Sequence, residues 1–294
     1  MRLAPLSVLV LALSLAACRH VTNVGVEPIR IVPPADGECV GTVEVTVVND
    51  GTSPIGVGRL YVLLPDERSD VEPPMGPPGP AIASFEPPWT GEVPLEPGAS
   101  RVLTKTVVRT QAEPSAPFEA SARVPVFGEG DVRGEWKSPP VRFDPAAWPV
   151  AEPLTNDAID RAVAEGRGVR VVFYEIAEPG GGVRMLDVRT DGAVFGVAAG
   201  TFGTPDGDPI VGAGTMDGTH LAAFVTAIRA APLDAFRADP KWRDTKDGHR
   251  VRLLVAAGRA ACVLSSMDED FRAAGLDPLL EQLRALIAAL PRRP

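Results

Sequence analysis

"HRVRLLVAAGRAACVLSS", His249 to Ser266, is two apolar runs on either side of a short Ala-Gly-Arg turn. Folded back at Ala257-Gly258, it places Cys262 opposite Leu253. The face that carries them also carries Val251, Val255, Ala260 and Leu264, while Arg250, Arg252 and Ser265 take the other. An apolar face opposite a charged one, with period two, is the pattern of strands lying on a core. The stretch reads as a β-hairpin.

Its neighbours decide what kind of domain holds it. "TNDAIDRAVAEGRG" (155–168) reads as a short helix ended by Gly166 or Gly168, and "VRVVFYEI" (169–176) and "VRMLDVRTDGAVFGVA" (183–198) read as strands. After His220, Leu221, Phe224, Val225 and Ile228 share the stripe of a helix that covers a sheet. In "LDPLLEQLRALIAAL" (276–290), Asp277 is the expected N-cap and Pro278 the first helical residue. Leu279, Leu280, Leu283, Leu286, Ile287 and Leu290 form its apolar stripe. Strands, helix, hairpin and helix make an α+β domain, expected over residues 155–291.

This order, with a helix ending in "APLDAF", an Asp-rich loop, a hairpin around "AAGR" and a final "PLLEQLRALIAAL", resembles the emfourin-like family over residues 169–290. That resemblance implies a small α+β domain that inhibits an exported protease, and it assigns no inhibitory residue.

The first half differs in kind. Of 31 prolines, only Pro179, Pro205, Pro209, Pro232, Pro240, Pro278, Pro291 and Pro294 lie beyond residue 155. Prolines that dense exclude helices, because each removes a backbone donor and clashes with the preceding turn. "GTVEVTVVNDGTSPIGVGRLYVLLP" (41–65) alternates Val43, Val45 and Val47 against Thr42, Glu44 and Thr46. It then turns at Asn49-Asp50-Gly51 and resumes around Leu60, Val62 and Leu64, the pattern of a half-buried hairpin. "LEPGASRVLTKTVVRT", "PFEASARVPVF" and "GEWKSPPVRFDP" supply further strands, the second through Phe118, Ala120, Ala122 and Val124, the third through Trp136, Val141 and Phe143. Short strands at this spacing predict an all-β sandwich over residues 24–145. Its strand ending in Asn-x-Gly and its later strand after a Pro-Gly turn resemble immunoglobulin-like and fibronectin-like adhesion modules. The Pro-rich loop 65–97, with Phe85 and Trp89, reads as a stiff extended segment on the sheet edge or as a docking loop. Residues 146–154 form the linker. The fold class is thus multidomain, an immunoglobulin-like sandwich followed by an α+β domain.

The N-terminus sets the compartment. Arg2, an apolar run from Leu6 to Leu15 and then small residues follow the order of an export signal, and the run is shorter than a membrane span. Leu15-Ala16-Ala17-Cys18 resembles the bacterial lipobox. The resemblance implies a signal peptide over 1–17, a palmitate-type lipid on Cys18 and a tether over 18–23. Arg19 is not the aspartate of an inner-membrane retention signal, so the expected site is the outer membrane, on its periplasmic or surface face. Two or more acyl chains anchor stably by themselves. A formal net charge of −9 argues against a nucleic-acid partner.

The chemistry search is mostly negative. His20, His220 and His249 form no His-Glu-x-x-His pair, and there is no Cys-x-x-Cys and no Gly-x-Ser-x-Gly. Asp206 and Asp208, and Asp234, Asp239, Asp244 and Asp247, lack the spacing of a calcium loop and read as solvated turns. "PIVGAGTMDGTHLAAFVTAIRAA" (209–231) resembles a nucleotide loop through Gly212, Gly214 and Gly218. The last gap is one residue too long for the dinucleotide fingerprint, and an exported protein meets little free nucleotide. It reads as a glycine-rich connection into a helix capped by Asp217 or Thr219. No catalytic residue, metal or cofactor is expected.

With Cys18 committed to lipid, Cys39 and Cys262 remain, an even pair in an oxidising compartment. One reading is a disulfide joining the two domains. The other, from the hairpin register, makes Cys262 a buried apolar thiol. The sequence therefore describes a non-catalytic envelope lipoprotein, a binding or structural module for an envelope protein or polysaccharide. The alternative is inhibition of an exported protease by its C-terminal domain.

Overall fold

The computed structural model describes residues 24–57, 61–63, 82–85, 94–110, 117–127, 133–178, 182–199, 210–236 and 248–291. The leader, Cys18, His20, Trp89 and most of the Pro-rich loop lie outside these residues, as do Asp206, Asp208, Asp239, Asp244 and Asp247.

The first half forms β1 (Val24–Val26), β2 (Arg30–Val32), β3 (Val40–Asn49), β4 (Gly56–Val57), β5 (Tyr61–Leu63), β6 (Ile82–Phe85), β7 (Ser100–Arg109), β8 (Phe118–Phe127), β9 (Arg133–Lys137) and β10 (Val141–Phe143). One sheet runs β1-β3-β7-β6 with β2 also on β3, and a second gathers β4, β5, β9 and β10 around β8. The expected alternation holds, since Val43, Val45 and Val47 are fully buried against Ala120, Ala122 and Val124 in one core between the sheets.

The expected hairpin after Asn49 does not form. β3 pairs with β7, Val45 facing Leu103, while β4 and β5 pair with β8 in the other sheet. Asn49, itself fully buried, redirects the chain: its Nδ2 donates to the carbonyls of Ser53 and Leu95 at 2.9 and 2.7 Å, and its Oδ1 accepts from Gly51 N at 3.0 Å. Period two fixes which face a strand buries but not which strand lies beside it. The Pro-rich loop contributes β6, which pairs with the last four residues of β7, Ala83 opposite Val108.

The second half forms β11 (Glu152–Pro153), α1 (Asn156–Ala164), β12 (Arg170–Glu178), β13 (Val183–Val188), β14 (Ala193–Ala199), β15 (Ile210–Thr215), α2 (Gly218–Ala230), β16 (Gly248–Ala257), β17 (Ala260–Met267), α3 (Asp268–Ala273) and α4 (Asp277–Ala289). Its strands make a seven-stranded sheet, β11-β17-β16-β12-β13-β14-β15. Val171, Phe173, Val251, Leu253 and Val255 lie under the helices with Ile159, Phe224, Ile228, Leu280 and Leu283. Thr155 caps α1, its Oγ1 accepting from Ala158 N at 3.2 Å, and Gly166 at φ 72° follows its end. The cap of α4 is Leu276, with Asp277 inside the helix.

The hairpin turns one residue later than expected, through Gly258-Arg259, with Ala257 facing Ala260 and Val255 facing Cys262. A two-residue loop wants a positive φ, and Gly258 supplies 56°. The register thus slips by two, which returns every side chain to its expected face.

The opposite face of the large sheet is covered too. Val172, Leu254 and Ala256 pack on Cys39 and Val108 of the first half. Buried residues therefore run without a break from Lys105 to Arg109 and from Leu253 to Ala257, because both strand ends are covered on two faces. Residues 150–153 strap the two halves together. Val150 bridges Arg109 in parallel, Ala151 N donates to Arg109 O at 2.8 Å, and β11 pairs in parallel with β17.

Candidate functional site

The seam between the halves opens into a cleft of about 130 Å³, lined by Glu38, Arg167, Arg170, Arg189, Thr190 and Gly258 among others. Four turns and three strand ends build it: the turn before β3, the turn after α1, the β13–β14 turn and the β16–β17 turn, with Val40 of β3, Arg170 of β12 and Ala256 of β16. On the rim, Cys39 N donates to Gly258 O at 3.0 Å and fixes the first half against the hairpin.

Each arginine is positioned by a separate contact. Arg167 Nη1 donates to Asp36 O at 2.6 Å, and its Nε meets Glu165 at 3.0 Å. The guanidinium lies over Gly37, where a β-carbon would fall 1.5 Å from Nη1, and Gly37 also has φ +80°. The positive φ favours glycine there, and its missing side chain leaves the space that the guanidinium occupies. Arg170 Nε and Nη2 donate to the two carboxylate oxygens of Asp187 at 3.3 and 3.2 Å, and Nη2 also donates to Thr106 Oγ1 at 3.0 Å. This fork joins β12 and β13 to β7 across the seam. Arg189 is 64% exposed and reaches Asp187 only at 3.7 Å. Among the described residues, Arg167 Nη2, Arg170 Nη1 and both terminal nitrogens of Arg189 make no hydrogen bond, and half-buried Glu38 has no ion-pair partner.

The two cysteines lie on opposite faces of the large sheet. Cys39 is fully buried in the seam, and Cys262 packs against the core under the helices. Both are free thiols. Burial pushes Cys39 up to about 12 and Cys262 up to about 11.

Gly212 of "GAGTMDG" has a packing role. Gly212 and Gly214 lie within β15, not in a loop, and a β-carbon on Gly212 would meet Leu290 Cβ at 2.5 Å. Gly212 lets the end of α4 approach the sheet edge. Asp217 caps α2, accepting from His220 N at 2.9 Å, and this bond holds its carboxyl below the usual range. His220 and His249 are exposed. Asp234 sits in a single 3-10 turn, Leu233–Ala235. Among the described residues no three His, Cys, Asp or Glu side chains gather as a metal site, and no helix is long and apolar enough to cross a membrane.

Residue-by-residue reading missed a buried ionic network at the far end of the helical face. Glu175, 1% exposed, meets Arg184 at 3.0 Å and Arg284 Nε at 3.3 Å, and Arg284 Nη2 donates to Asp268 at 2.7 Å. Arg272 holds the other oxygen of Asp268 at 2.6 Å. Burial pulls Arg284 down, but its bonds to Glu175 and Asp268 outweigh that and hold it above the ordinary arginine range. Arg284 and Glu175 are 109 residues apart in sequence, so only β13's Arg184, which pairs with Glu175 across neighbouring strands, left a local trace. The network fastens α4 and α3 to the sheet.

No family model matches the chain, and no curated protein matches it. Among solved structures it is similar to the CupB2 chaperone of Pseudomonas aeruginosa, at 12% identity and a TM-score of 0.27 over 83% of this chain and 99% of that one. It is also similar to BcpA, the major pilin subunit of Bacillus cereus, at 10% identity and a TM-score of 0.23 over 68% of both chains, and to a variant of that pilin at 12% and 0.22. Overlaps this slight carry no conclusion about fold or function.

Proposed function

We propose that this chain is a non-catalytic cell-envelope lipoprotein, anchored in the outer membrane through Cys18. In this reading it presents an immunoglobulin-like sandwich (24–145) and an α+β domain (155–291) as one rigid binding unit. The observation that carries it is the seam: residues 150–153 pair with β7 on one side and β17 on the other, and Cys39, Val108, Leu254 and Ala256 close over one another. A seam built this way holds two surfaces at fixed orientation on a tether. That suits capture of an envelope protein or polysaccharide.

Two measurements test it. Palmitate labelling with envelope fractionation of wild type and Cys18→Ala is expected to show labelled protein in the outer membrane and unlabelled variant released. A pull-down from envelope extract is expected to enrich one envelope protein or polysaccharide, and to lose it for a seam-opening Leu254→Asp. An unlabelled, freely soluble wild type would overturn the anchor. Recovery of an exported protease, silenced by the full chain, would replace the capture reading with inhibition.

A further inference from the structure

The cleft at the seam joins three cations to one acid on a chain whose net charge is −9. Asp187 and Glu165 already balance much of the arginine charge. What remains in the cleft is donor capacity, since each guanidinium offers five N–H groups in a planar fork that matches a carboxylate. Arg167 and Arg170 are immobilised by Asp36, Asp187 and Thr106, so little ordering entropy is left to lose on binding. Arg189, exposed and weakly paired, is the group free to close on a ligand.

Glu38 restricts the class. An ionised carboxylate in the lining repels a dianion such as phosphate and accepts from a hydroxyl. A small group that offers one carboxylate to guanidinium forks and neighbouring hydroxyls to Glu38 has the chemistry of a sugar acid. We infer that the seam cleft, lined by Arg167, Arg170, Arg189 and Glu38, is a binding site for a uronate-type sugar acid, met free or as the terminal unit of an acidic envelope polysaccharide. This rests on the reading of the chain as a binding module and names its ligand chemistry.

The test is isothermal titration of the full chain with glucuronate, glucose, inorganic phosphate and an oligouronate. Glucuronate is expected to saturate with a Kd on the order of 1 mM, the range for a few polar contacts to a small ligand, and glucose to show no heat of binding. Arg189→Glu is expected to weaken glucuronate roughly tenfold or more, the loss of one charge-assisted contact. Because Arg189 is exposed, its thermal midpoint without ligand should match wild type, which separates loss of the site from loss of the fold. Glu38→Gln is expected to weaken glucuronate and tighten phosphate, a reversal that nonspecific attraction to arginines would not produce. An oligouronate that binds more tightly than the monomer identifies a polysaccharide end as the source; equal affinity identifies the free acid. Absence of saturation by glucuronate, phosphate bound in preference to it by wild type, or unchanged affinity in Arg189→Glu would overturn the assignment. Palmitate labelling and partner capture read the anchored-module proposal separately, so either can fail alone.

Discussion

A β-carbon on Gly212 would lie 2.5 Å from the Cβ of Leu290 and 3.0 Å from Pro291 O, so the sheet edge and the end of α4 meet without space for a methyl group. Gly214, two residues along the same strand, has nothing nearer than 3.5 Å. Gly212→Ala is therefore expected to cost about 1 to 3 kcal/mol through overpacking, and Gly214→Ala to stay within about 0.5 kcal/mol of wild type. Urea unfolding of the two variants checks this. Equal effects would show that the glycines are not there for Leu290.

Arg284 joins Glu175 to Asp268 where both carboxylates are nearly sealed from solvent. Replacing it with leucine leaves Glu175 to Arg184 and Asp268 to Arg272, each more exposed than Arg284. Breaking a buried pair from one side costs about 3 to 5 kcal/mol, and the surviving arginines should hold the loss near the lower end. Glu175→Leu combined with Arg284→Leu is expected to recover part of it, as measured by the denaturation midpoint.

The two thiols make an alkaline prediction. Unfolded, both ionise near pH 9; folded, Cys39 is pushed up to about 12 and Cys262 up to about 11, chiefly by burial. The folded state thus holds these protons after the unfolded chain has released them. Their contribution to stability is complete below pH 9 and declines as pH rises toward 11 to 12, by up to about 1.4 kcal/mol per pH unit for each thiol. The combined Cys39→Ala and Cys262→Ala variant should lose stability less steeply above pH 9. At pH 8, a thiol reagent should react with the wild type only on unfolding, and non-reducing mass mapping should yield both cysteines unbonded. A Cys39–Cys262 peptide would contradict their placement on opposite faces.

Leu254 is fully buried in the seam. Leu254→Ala is expected to cost about 2 to 5 kcal/mol, the usual range for a large-to-small change in a closed core. Calorimetry should show one unfolding transition for wild type, and two for Leu254→Asp as the halves uncouple. A single unshifted transition in the aspartate variant would show that the seam does not couple them.

Much of this architecture is legible in the residues. The alternation of Val43, Val45 and Val47, the stripe of Phe224, Val225 and Ile228, and the caps at Thr155 and Asp217 each state a local preference that the fold keeps. The cleft was less legible. Arg167 and Arg170 flank a glycine turn, yet nothing in their spacing tells that Thr106 and Asp36 would come to meet them from 64 and 131 residues away. The unbroken apolar run from Leu253 to Ala257 was a readable sign that both faces of β16 are covered, though it could not say by what.

The sequence by itself determined one buried face of strands such as β3 and of helices α2 and α4, because side-chain period follows backbone geometry and apolar residues must leave water wherever they fall. Only the tertiary structure decided what buries them: that β3 pairs with β7 instead of the strands after its turn, that Cys39 and Cys262 take opposite faces of one sheet, and that Gly212 yields to Leu290. Those are contacts between segments far apart in the chain, and they are set by how complete surfaces fit, a property that no local pattern carries.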